Sequence, residues 1–297
     1  MKENLIVNFT PTGMIPTKDM TPHVPVSPCE IIDQVLELSE EGLITMVHIH
    51  ARNSEGIPTL DPDVYAEIIA GIRRYNKELI ICVSLSGRYE KDPDKRALPL
   101  ILDGMLKPDM GSLTLSSLNF NKEASVNSPQ TVKFLAEKML DAGIKPELEV
   151  FDTGMINYAK YLDRKQLIKP PYYFNLILGN IACMQVDPLH IGLLIRDLPY
   201  WGNQMSYWSI GGIGDYQFNA NMCSILFGRD ESSGIRIGLE DNIYFNDNRT
   251  ELATNAMLVR RIVDMANRCG RDVMSSQRLR SILHLKSGGE DGYGVAS

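Results

Sequence analysis

The stretch ITMVHIHA (44–51), followed by Asp61-Pro62 and then by LIICVSLS (79–86), contains the unit that decides the fold. Each apolar run has the length of a buried strand. Between them, Asp61 and Pro62 are typical of a helix start, because aspartate caps the first turn and proline is favoured at its first position. We expect that helix to extend to about Tyr75. Strand, helix and strand in this order predict a parallel βαβ unit.

The same alternation continues along the whole chain. Further strands are predicted at LIVNFT (5–10), GSLTLSS (111–117), PELEVFD (146–152), YYFNLILG (172–179), YWSIGGIG (207–214) and GIRIGLED (234–241). With the first two this makes eight strands, or one per about 37 residues, each followed by a helical stretch. Eight such units predict an α/β protein with the (β/α)8 TIM barrel fold. The alternative is an open doubly wound sheet, but no GxGxxG motif follows the first strand.

The chain shows no composition break that would divide it into two domains. We therefore expect a single barrel domain over residues 1–286. The last residues, 287–297, are rich in Gly and Ser and are expected to form a tail outside that domain.

Composition and charge exclude several classes of protein. Hydrophobic residues make up 44% and charged residues 23% of the 297, which is ordinary globular usage. A formal net charge of -7 without a basic block argues against nucleic acid and anionic membranes as partners. No apolar run reaches the ~18–20 residues of a membrane span, and the N-terminus lacks the pattern of a signal peptide. The five cysteines form no C-x-x-C motif and favour a reducing compartment, so we expect a cytoplasmic protein.

Polar residues occupy one face of at least six predicted strands. Alternate residues of a strand share a face, and the face of a barrel strand that meets the helices must be apolar. The polar faces hold Asn8 and Thr10; His48 and His50; Ser84 and Ser86; Ser112, Thr114 and Ser116; Glu147 and Glu149; and Arg236, Gly238 and Glu240. These side chains are therefore expected inside the barrel near its C-terminal end, where barrel active sites lie.

The sharpest local motif is His48-Ile49-His50. Two imidazoles on one strand face start about 6.6 Å apart and can lean onto one cation. Glu240, in the eighth predicted strand, can supply a third ligand, and two histidines with a glutamate are a pattern of catalytic zinc sites. Asp241 could replace Glu240 as ligand or act as a general base.

Two further features of the last strands have alternative interpretations. A buried Arg236 needs an anionic partner, and Glu147, Glu149 and Asp241 are candidates. Three glycines at 211, 212 and 214 are interpreted as close packing positions, with a phosphate-binding loop as the alternative.

Several stretches together resemble the β-keto acid cleavage enzyme family, and the resemblance covers about residues 5–285. The combination of HIHAR with RIGLEDN is the specific part of it. The matching stretches are TPTGMIPTK (10–18), VHIHAR (47–52), SLSGR (84–88), SLTLSSLNF (112–120), VNSP (126–129), KPELEVFDTGMI (145–156), NLILGNIA (175–182), GIRIGLEDNIY (234–244) and ATNAMLVRRIV (253–263).

The resemblance implies a zinc-dependent barrel that condenses a β-keto acid with acetyl-CoA, giving acetoacetate and a new acyl-CoA. It implies the zinc ligands His48, His50 and Glu240, and a catalytic pair of Arg236 and Asp241. It also implies a homo-oligomer, with a tetramer as the expected state. The substrate residues that it implies are Ser84, Thr114 and Glu149, although Ser112 and Glu147 share the faces of the last two.

The resemblance also bears on specificity through Thr12-Gly13-Met14. In the family this segment lies near the variable end of the keto acid, and some members that act on amino-bearing substrates carry an acid there. Met14 cannot pair with an ammonium, so an uncharged, short aliphatic end is expected.

Two other functions are compatible with parts of the pattern. A metal-dependent hydrolase of the amidohydrolase type also has His-x-His in a barrel, but usually on the first strand and with further histidines later. A non-catalytic, metal-stabilised oligomeric binding protein is the third alternative.

Overall fold

The computed structural model describes residues 3–198, 206–228 and 230–286. The predicted tail at 287–297 lies outside the described residues. Within them, no helix is both long and apolar enough to cross a membrane.

Eight parallel strands close into a barrel, as the alternation predicted. In chain order the strands are β1 (Glu3–Phe9), β2 (Met46–Ile49), β3 (Ala51–Arg52), β4 (Pro58–Thr59), β5 (Ile80–Val83), β6 (Met110–Thr114), β7 (Leu118–Asn119), β8 (Ala124–Ser125), β9 (Lys145–Val150), β10 (Tyr172–Leu178), β11 (Ser206–Gly212), β12 (Ser233–Ile237) and β13 (Arg271–Val273). The barrel runs β1-β2-β5-β6-β9-β10-β11-β12, and β12 pairs with β1 to close it. In that closing pair Asn8 lies opposite Arg236. The open doubly wound alternative is therefore wrong.

Helices follow the barrel strands on the outside. They are α1 (Pro28–Glu40), α2 (Pro62–Tyr75), α3 (Pro93–Arg96), α4 (Pro129–Ala142), α5 (Thr153–Arg164), α6 (Pro188–Asp197), α7 (Gln217–Phe227) and α8 (Asn255–Arg268). A further helix, α9 (Ser276–Leu283), follows β13 and packs against the N-terminal end of the barrel. Ser27, Asp61, Ser128 and Asp187 cap their helices through side-chain oxygens, each with proline in the first turn. The cap-then-proline signals thus marked helix starts correctly, because the cap satisfies a free N–H while proline lacks one.

Two short antiparallel hairpins lie outside the barrel sheet. β3 pairs with β4, and β7 pairs with β8. The segment containing β7 and β8 follows β6, so it lies at the C-terminal end of the barrel, where the loops after the strands build an active site.

The inside of the barrel is divided into an apolar lower layer and a polar upper layer. Inward-facing residues low in the barrel pack into a cluster with residues of the C-terminal segment, which covers the N-terminal end. The cluster contains Ile6, Met46, Ile80, Cys82, Met110, Tyr173, Tyr207, Met274, Leu279, Leu283 and Leu285. β13 pairs with β1 next to this cover and was not predicted. The larger apolar cluster lies between the strands and the outer helices.

The last barrel strand is shorter than predicted, and this affects the site. β12 ends at Ile237, so Glu240 and Asp241 lie beyond the strand. Gly238 has φ 152°, and a Cβ there would lie 2.1 Å from the carbonyl oxygen of Thr10. Only glycine allows this turn, and it ends the strand alternation that placed Glu240 on one face with Arg236.

Candidate active site

His48, His50 and Glu240 meet at the upper end of the barrel. His48 lies in β2 and His50 directly after it, and both are buried. Their Nε2 atoms are 3.3 Å apart, and the His50 Nε2 is 3.0 Å from the Glu240 Oε1. One ligand atom from each of the three residues lies within 4.8 Å of the others. The structure thus brings together the three residues implied as metal ligands.

Glu147 orients His48 from below. The His48 Nδ1 donates to the Glu147 Oε2 at 2.6 Å, and the Asn8 amide donates to the other carboxylate oxygen at 2.7 Å. With Nδ1 engaged, the Nε2 of His48 remains to bind a metal, and a carboxylate behind a ligand histidine is the usual support of such a site. Burial opposes the charged imidazole, but the carboxylates of Glu147 and Glu240 raise the pKa of His48 to about 9. The surroundings therefore favour a positive charge at this place.

The free donor atoms fit a zinc ion. Among the described residues, the buried Glu240 Oε2 has no hydrogen-bond partner, which leaves a carboxylate oxygen available in the pocket. Two imidazole nitrogens and a carboxylate oxygen are a donor set of catalytic zinc sites. A second group, His48, Cys82 and Glu147, lies deeper, but there the Glu147 carboxylate already binds the imidazole.

The loop after β1 packs directly against Glu240. A Cβ on Gly13 would lie 2.4 Å from the Glu240 Cγ, so a side chain there would displace the carboxylate. Arg52 holds this loop in place through its guanidinium. It donates to the Thr12 hydroxyl, to the Gly13 carbonyl at 2.5 Å and to the Pro16 carbonyl at 2.7 Å. Gly13 and Arg52 thus help to position the Glu240 carboxylate.

Backbone hydrogen bonds hold the segment that carries Glu240 and Asp241. The Glu240 N–H donates to the carbonyl of Thr10, past the end of β1, at 3.2 Å. The Gly214 N–H donates to the Asp241 carbonyl at 2.7 Å. The residues after β12 are thereby fixed between the ends of its two neighbouring strands.

Arg236 and Asp241 form a buried pair with two hydrogen bonds. The Arg236 Nε donates to the Asp241 Oδ2 at 2.7 Å, and its Nη2 donates to Oδ1 at 3.2 Å. The same Nη2 is 2.8 Å from the Glu240 Oε1. Of the three anionic partners considered for Arg236, the structure therefore selects Asp241 and adds Glu240. Gly211 leaves room for this arginine, since a Cβ there would lie 2.9 Å from its Cδ, which supports the packing interpretation of that glycine.

The pKa values of the two carboxyl groups next to Arg236 are shifted in opposite directions. Burial raises the pKa of Asp241, with Arg236 opposing it and Glu240 adding to it. Burial also acts on Glu240, but Arg236 and the two histidines hold its pKa well below the usual range. Glu240 is thus suited to remain an anionic ligand, whereas Asp241 is suited to take a proton.

A cavity of about 580 Å³ opens above these groups. Ser84, Thr114 and Glu149 line it, and the Thr114 hydroxyl donates to the Glu149 Oε2 at 2.5 Å. Burial raises the pKa of Glu149. Ser112 accepts the Leu85 N–H instead, at 3.0 Å. Between the residues that share a strand face, the structure thus places Thr114 and Glu149 at the cavity, with Ser112 and Glu147 below it.

Met14 also lines this cavity and a second one of about 490 Å³. The two cavities share Met14, His50, Ser84, Ser86 and Tyr89. The segment after β1 therefore borders both spaces next to His50.

Two residues of the site were missed as functional residues by the sequence reasoning. Glu147 was treated as an alternative to Glu149, and its position on the same inward face as His48 was the available signal. Arg88 follows the third barrel strand and lines the cavity; it ends the SLSGR stretch (84–88) that resembles the family, but it was given no role.

Comparison with known proteins shows that the chain matches one family along nearly its whole length. The family model of the beta-keto acid cleavage enzyme matches residues 4–285. The chain is 31% identical to the 3-keto-5-aminohexanoate cleavage enzyme of Fusobacterium nucleatum, over 96% of this chain and 100% of that protein. It is 30% identical to the 3-oxoadipate:acetyl-CoA acetyltransferase of Cupriavidus necator, over 98% of this chain and 99% of that protein.

A solved structure shows the same fold at low sequence identity. The apo structure of ObcA superimposes with a TM-score of 0.75 at 19% identity, over 89% of this chain and 66% of that one. This likeness confirms the barrel.

Proposed function

The chain belongs to the beta-keto acid cleavage enzyme family, and on that premise we propose that it condenses a β-keto acid with acetyl-CoA to give acetoacetate and a new acyl-CoA, with a zinc ion as cofactor. The observation that carries the proposal is one meeting point in the barrel. There the His48, His50 and Glu240 donor set lies beside the Arg236–Asp241 pair, at the floor of a cavity.

The reaction begins with removal of a carbon-bound proton. Asp241 takes the proton from the carbon between the keto group and the carboxylate, and Arg236 holds the aspartate in place through two hydrogen bonds. A zinc ion bound by His48, His50 and Glu240 would stabilise the negative charge on the substrate oxygens as a Lewis acid. The raised pKa of Asp241 makes it a stronger base than an exposed aspartate.

The remaining steps exchange the acyl groups without a covalent enzyme intermediate. The enolate carbon bonds to the acetyl carbonyl, and the CoA thiolate leaves. That thiolate then attacks the original keto carbonyl, the adjacent carbon–carbon bond breaks, and acetoacetate departs as an enolate that recovers the proton from Asp241. In support, Ser84 lines the cavity as a hydroxyl donor suited to a substrate carboxylate, and Thr114 lines it with its hydroxyl bound to Glu149.

The direct test is a panel of β-keto acids incubated with acetyl-CoA, with acetoacetate and the new acyl-CoA measured together. We expect equal amounts of both products and none without acetyl-CoA. A hydrolase would release products without acetyl-CoA, and a binding protein would release none. The hydrolase alternative would need further histidines on later strands. In the described barrel strands His48 is the sole histidine, and His50 directly follows the same strand.

We also propose that the protein is a cytoplasmic homo-oligomer, with a tetramer as the expected state. The family resemblance supports the assembly, and five free cysteines support a reducing compartment. Light scattering coupled to size exclusion tests the assembly, and a mass near that of one chain would contradict it.

Met14 provides the first prediction on specificity. Because a thioether cannot neutralise an ammonium, the enzyme is expected to prefer 3-oxohexanoate to 5-amino-3-oxohexanoate, the amino-bearing keto acid of equal chain length. The preference in kcat/KM is expected to be about 10–200-fold, the range of a single pocket contact. Met14→Glu is expected to reduce or reverse this ratio.

The measurement is kcat/KM for both keto acids in the wild type and the variant, at saturating acetyl-CoA. A wild type that prefers the amino substrate would show that Met14 does not set selectivity. An unchanged ratio in Met14→Glu would show that the loop after β1 lies away from the variable end.

A further inference from the structure

Arg88 is a mostly buried cation in the wall of the cavity, and the reaction described above gives it no role. It lies in the loop after β5, lines the same space as Glu149 and Asp241, and its side chain is 12% exposed. Burial lowers the pKa of this guanidinium, with the carboxylate of Glu123 opposing that effect.

The plane of the guanidinium is fixed by aromatic contacts. Its Cζ lies 3.6 Å from the centre of the Phe120 ring, which packs edge to face against Phe151 at 6.0 Å between ring centres. Phe151 directly follows β9, two residues after Glu149, and also lines the cavity. Arg88 is therefore stacked on a wall that is continuous with the substrate end of the barrel.

The loop that carries Arg88 is held from behind. The buried Arg96 donates from Nε to the Leu85 carbonyl at 2.8 Å and from Nη2 to the Asn127 side chain at 2.8 Å. A Cβ on Gly87 would lie 2.7 Å from an Arg96 nitrogen, so the loop lies directly on this support. Such preorganisation lowers the cost of ordering the side chain when a ligand binds.

Most N–H donors of Arg88 are left free by its partner within the protein, Glu123. The nearest carboxylate is that of Glu123, whose Oε1 is 3.6 Å from the Arg88 Nε, beyond hydrogen-bond distance. Within the described part of the chain, the guanidinium donates no hydrogen bond to a protein acceptor, although it carries five N–H groups. This guanidinium is mostly buried, is stacked on an aromatic ring and has free N–H donors in a ligand cavity. Such a group is suited to bind a carboxylate through two hydrogen bonds.

We propose that Arg88 binds a second carboxylate at the variable end of the keto acid, so that the preferred substrates are dicarboxylic β-keto acids. This proposal replaces the expectation of an uncharged end: Met14 disfavours an ammonium there, and Arg88 in the same cavity favours an anion over a neutral group. This assignment rests on the proposed condensation reaction and specifies its substrate class. The other anionic candidates are the phosphates of CoA. The pantetheine arm separates those phosphates from the reacting thioester, whereas Arg88 shares the cavity of the metal ligands.

The experiment compares two keto acids of equal chain length, 3-oxoadipate and the neutral 3-oxohexanoate. The wild type is expected to favour 3-oxoadipate by about tenfold or more in kcat/KM. Arg88→Gln is expected to lower that preference by about 10–100-fold, the value of a charge-assisted hydrogen-bonded pair. Arg88→Lys, which keeps the charge but loses the planar fork, is expected to retain part of it.

Glu123→Gln separates a binding role of Arg88 from a structural one. If Glu123 competes with the substrate for Arg88, its neutralisation is expected to raise the preference for 3-oxoadipate by about two- to fivefold. If the pair only stabilises the β7–β8 hairpin, both variants lower the activity together, and the proposal is overturned. Lys91→Gln is the control for Arg88→Gln, since it also removes one positive charge, but from an exposed site in the same loop.

The remaining outcomes identify which molecule Arg88 contacts. An equal loss on both keto acids would assign Arg88 to the carboxylate that they share and overturn the proposal. A rise in KM for acetyl-CoA that is absent with acetyl-pantetheine would assign it to a CoA phosphate, with the same consequence. An unchanged ratio in an active enzyme refutes only the role of Arg88, whereas a wild type that forms no acetoacetate from any keto acid refutes the proposed reaction itself.

Discussion

Asp241→Asn is expected to lower kcat by about 10²–10⁴-fold while the bound zinc is retained. The amide keeps the size of the side chain and can still face Arg236, but it cannot take a proton from carbon. Asp241 bonds to Arg236 and is not one of the three candidate ligands, so the metal site should stay intact. The measurements are acetoacetate formation under saturating substrates and zinc content by elemental analysis on the same preparation.

A direct probe of the base is exchange of the substrate's acidic protons in deuterated buffer without acetyl-CoA. The wild type should accelerate this exchange, and Asp241→Asn should not. Asp215→Asn is a matched control, because Asp215 is 51% exposed and pairs with Arg249 outside the cavity. Near-normal turnover in Asp241→Asn would show that another group is the base.

His48→Ala is expected to abolish both zinc binding and turnover. The wild type, purified without added metal, should contain about one zinc per chain, held by two imidazoles and a carboxylate. Removal of His48 takes away one ligand and also leaves the buried Glu147 carboxylate without its partner at 2.6 Å. A loss of stability is therefore expected as well, because an unpaired buried charge is costly.

Zinc content and thermal unfolding of the variant give readouts that are independent of activity. His190→Ala is the matched control, since His190 is 36% exposed beside Asp187 on an outer helix and should keep the zinc. Full activity of a wild type containing less than about a tenth of an equivalent of transition metal would refute the site. Retention of one zinc by His48→Ala would refute this residue as a ligand.

The sequence was most informative inside the barrel strands. A period of two is a local property of an extended backbone, so an apolar helix-facing side decides which residues point inward. That reasoning placed His48, Glu147, Glu149 and Arg236 inside without any knowledge of their neighbours. His48, Glu147 and Arg236 are buried there, and Glu149 lines the cavity. Helix starts were equally local, because a capping side chain and a following proline act within one turn.

The alternation of inward and outward side chains no longer predicts their direction where the backbone leaves the strand. Glu240 was assigned to the same strand face as Arg236, yet the strand ends at Ile237 and Gly238 turns the chain at φ 152°. Asp241 also lies past the strand end, and there it bonds to Arg236. Which way each carboxylate points depends on hydrogen bonds to Thr10 and Gly214, residues that follow other strands.

What the sequence determined by itself was the alternation of strands and helices, the inward set of polar residues and the family, because these depend on local periodicity and on motifs. Only the tertiary structure decided that Glu147 supports His48 while Glu149 meets the cavity, and that Arg88 faces the same space as Asp241. Two residues on one strand face are equivalent in sequence. Their depth, and so their partner, is set by the stagger of neighbouring strands and by groups across the barrel, contacts between residues far apart in the chain.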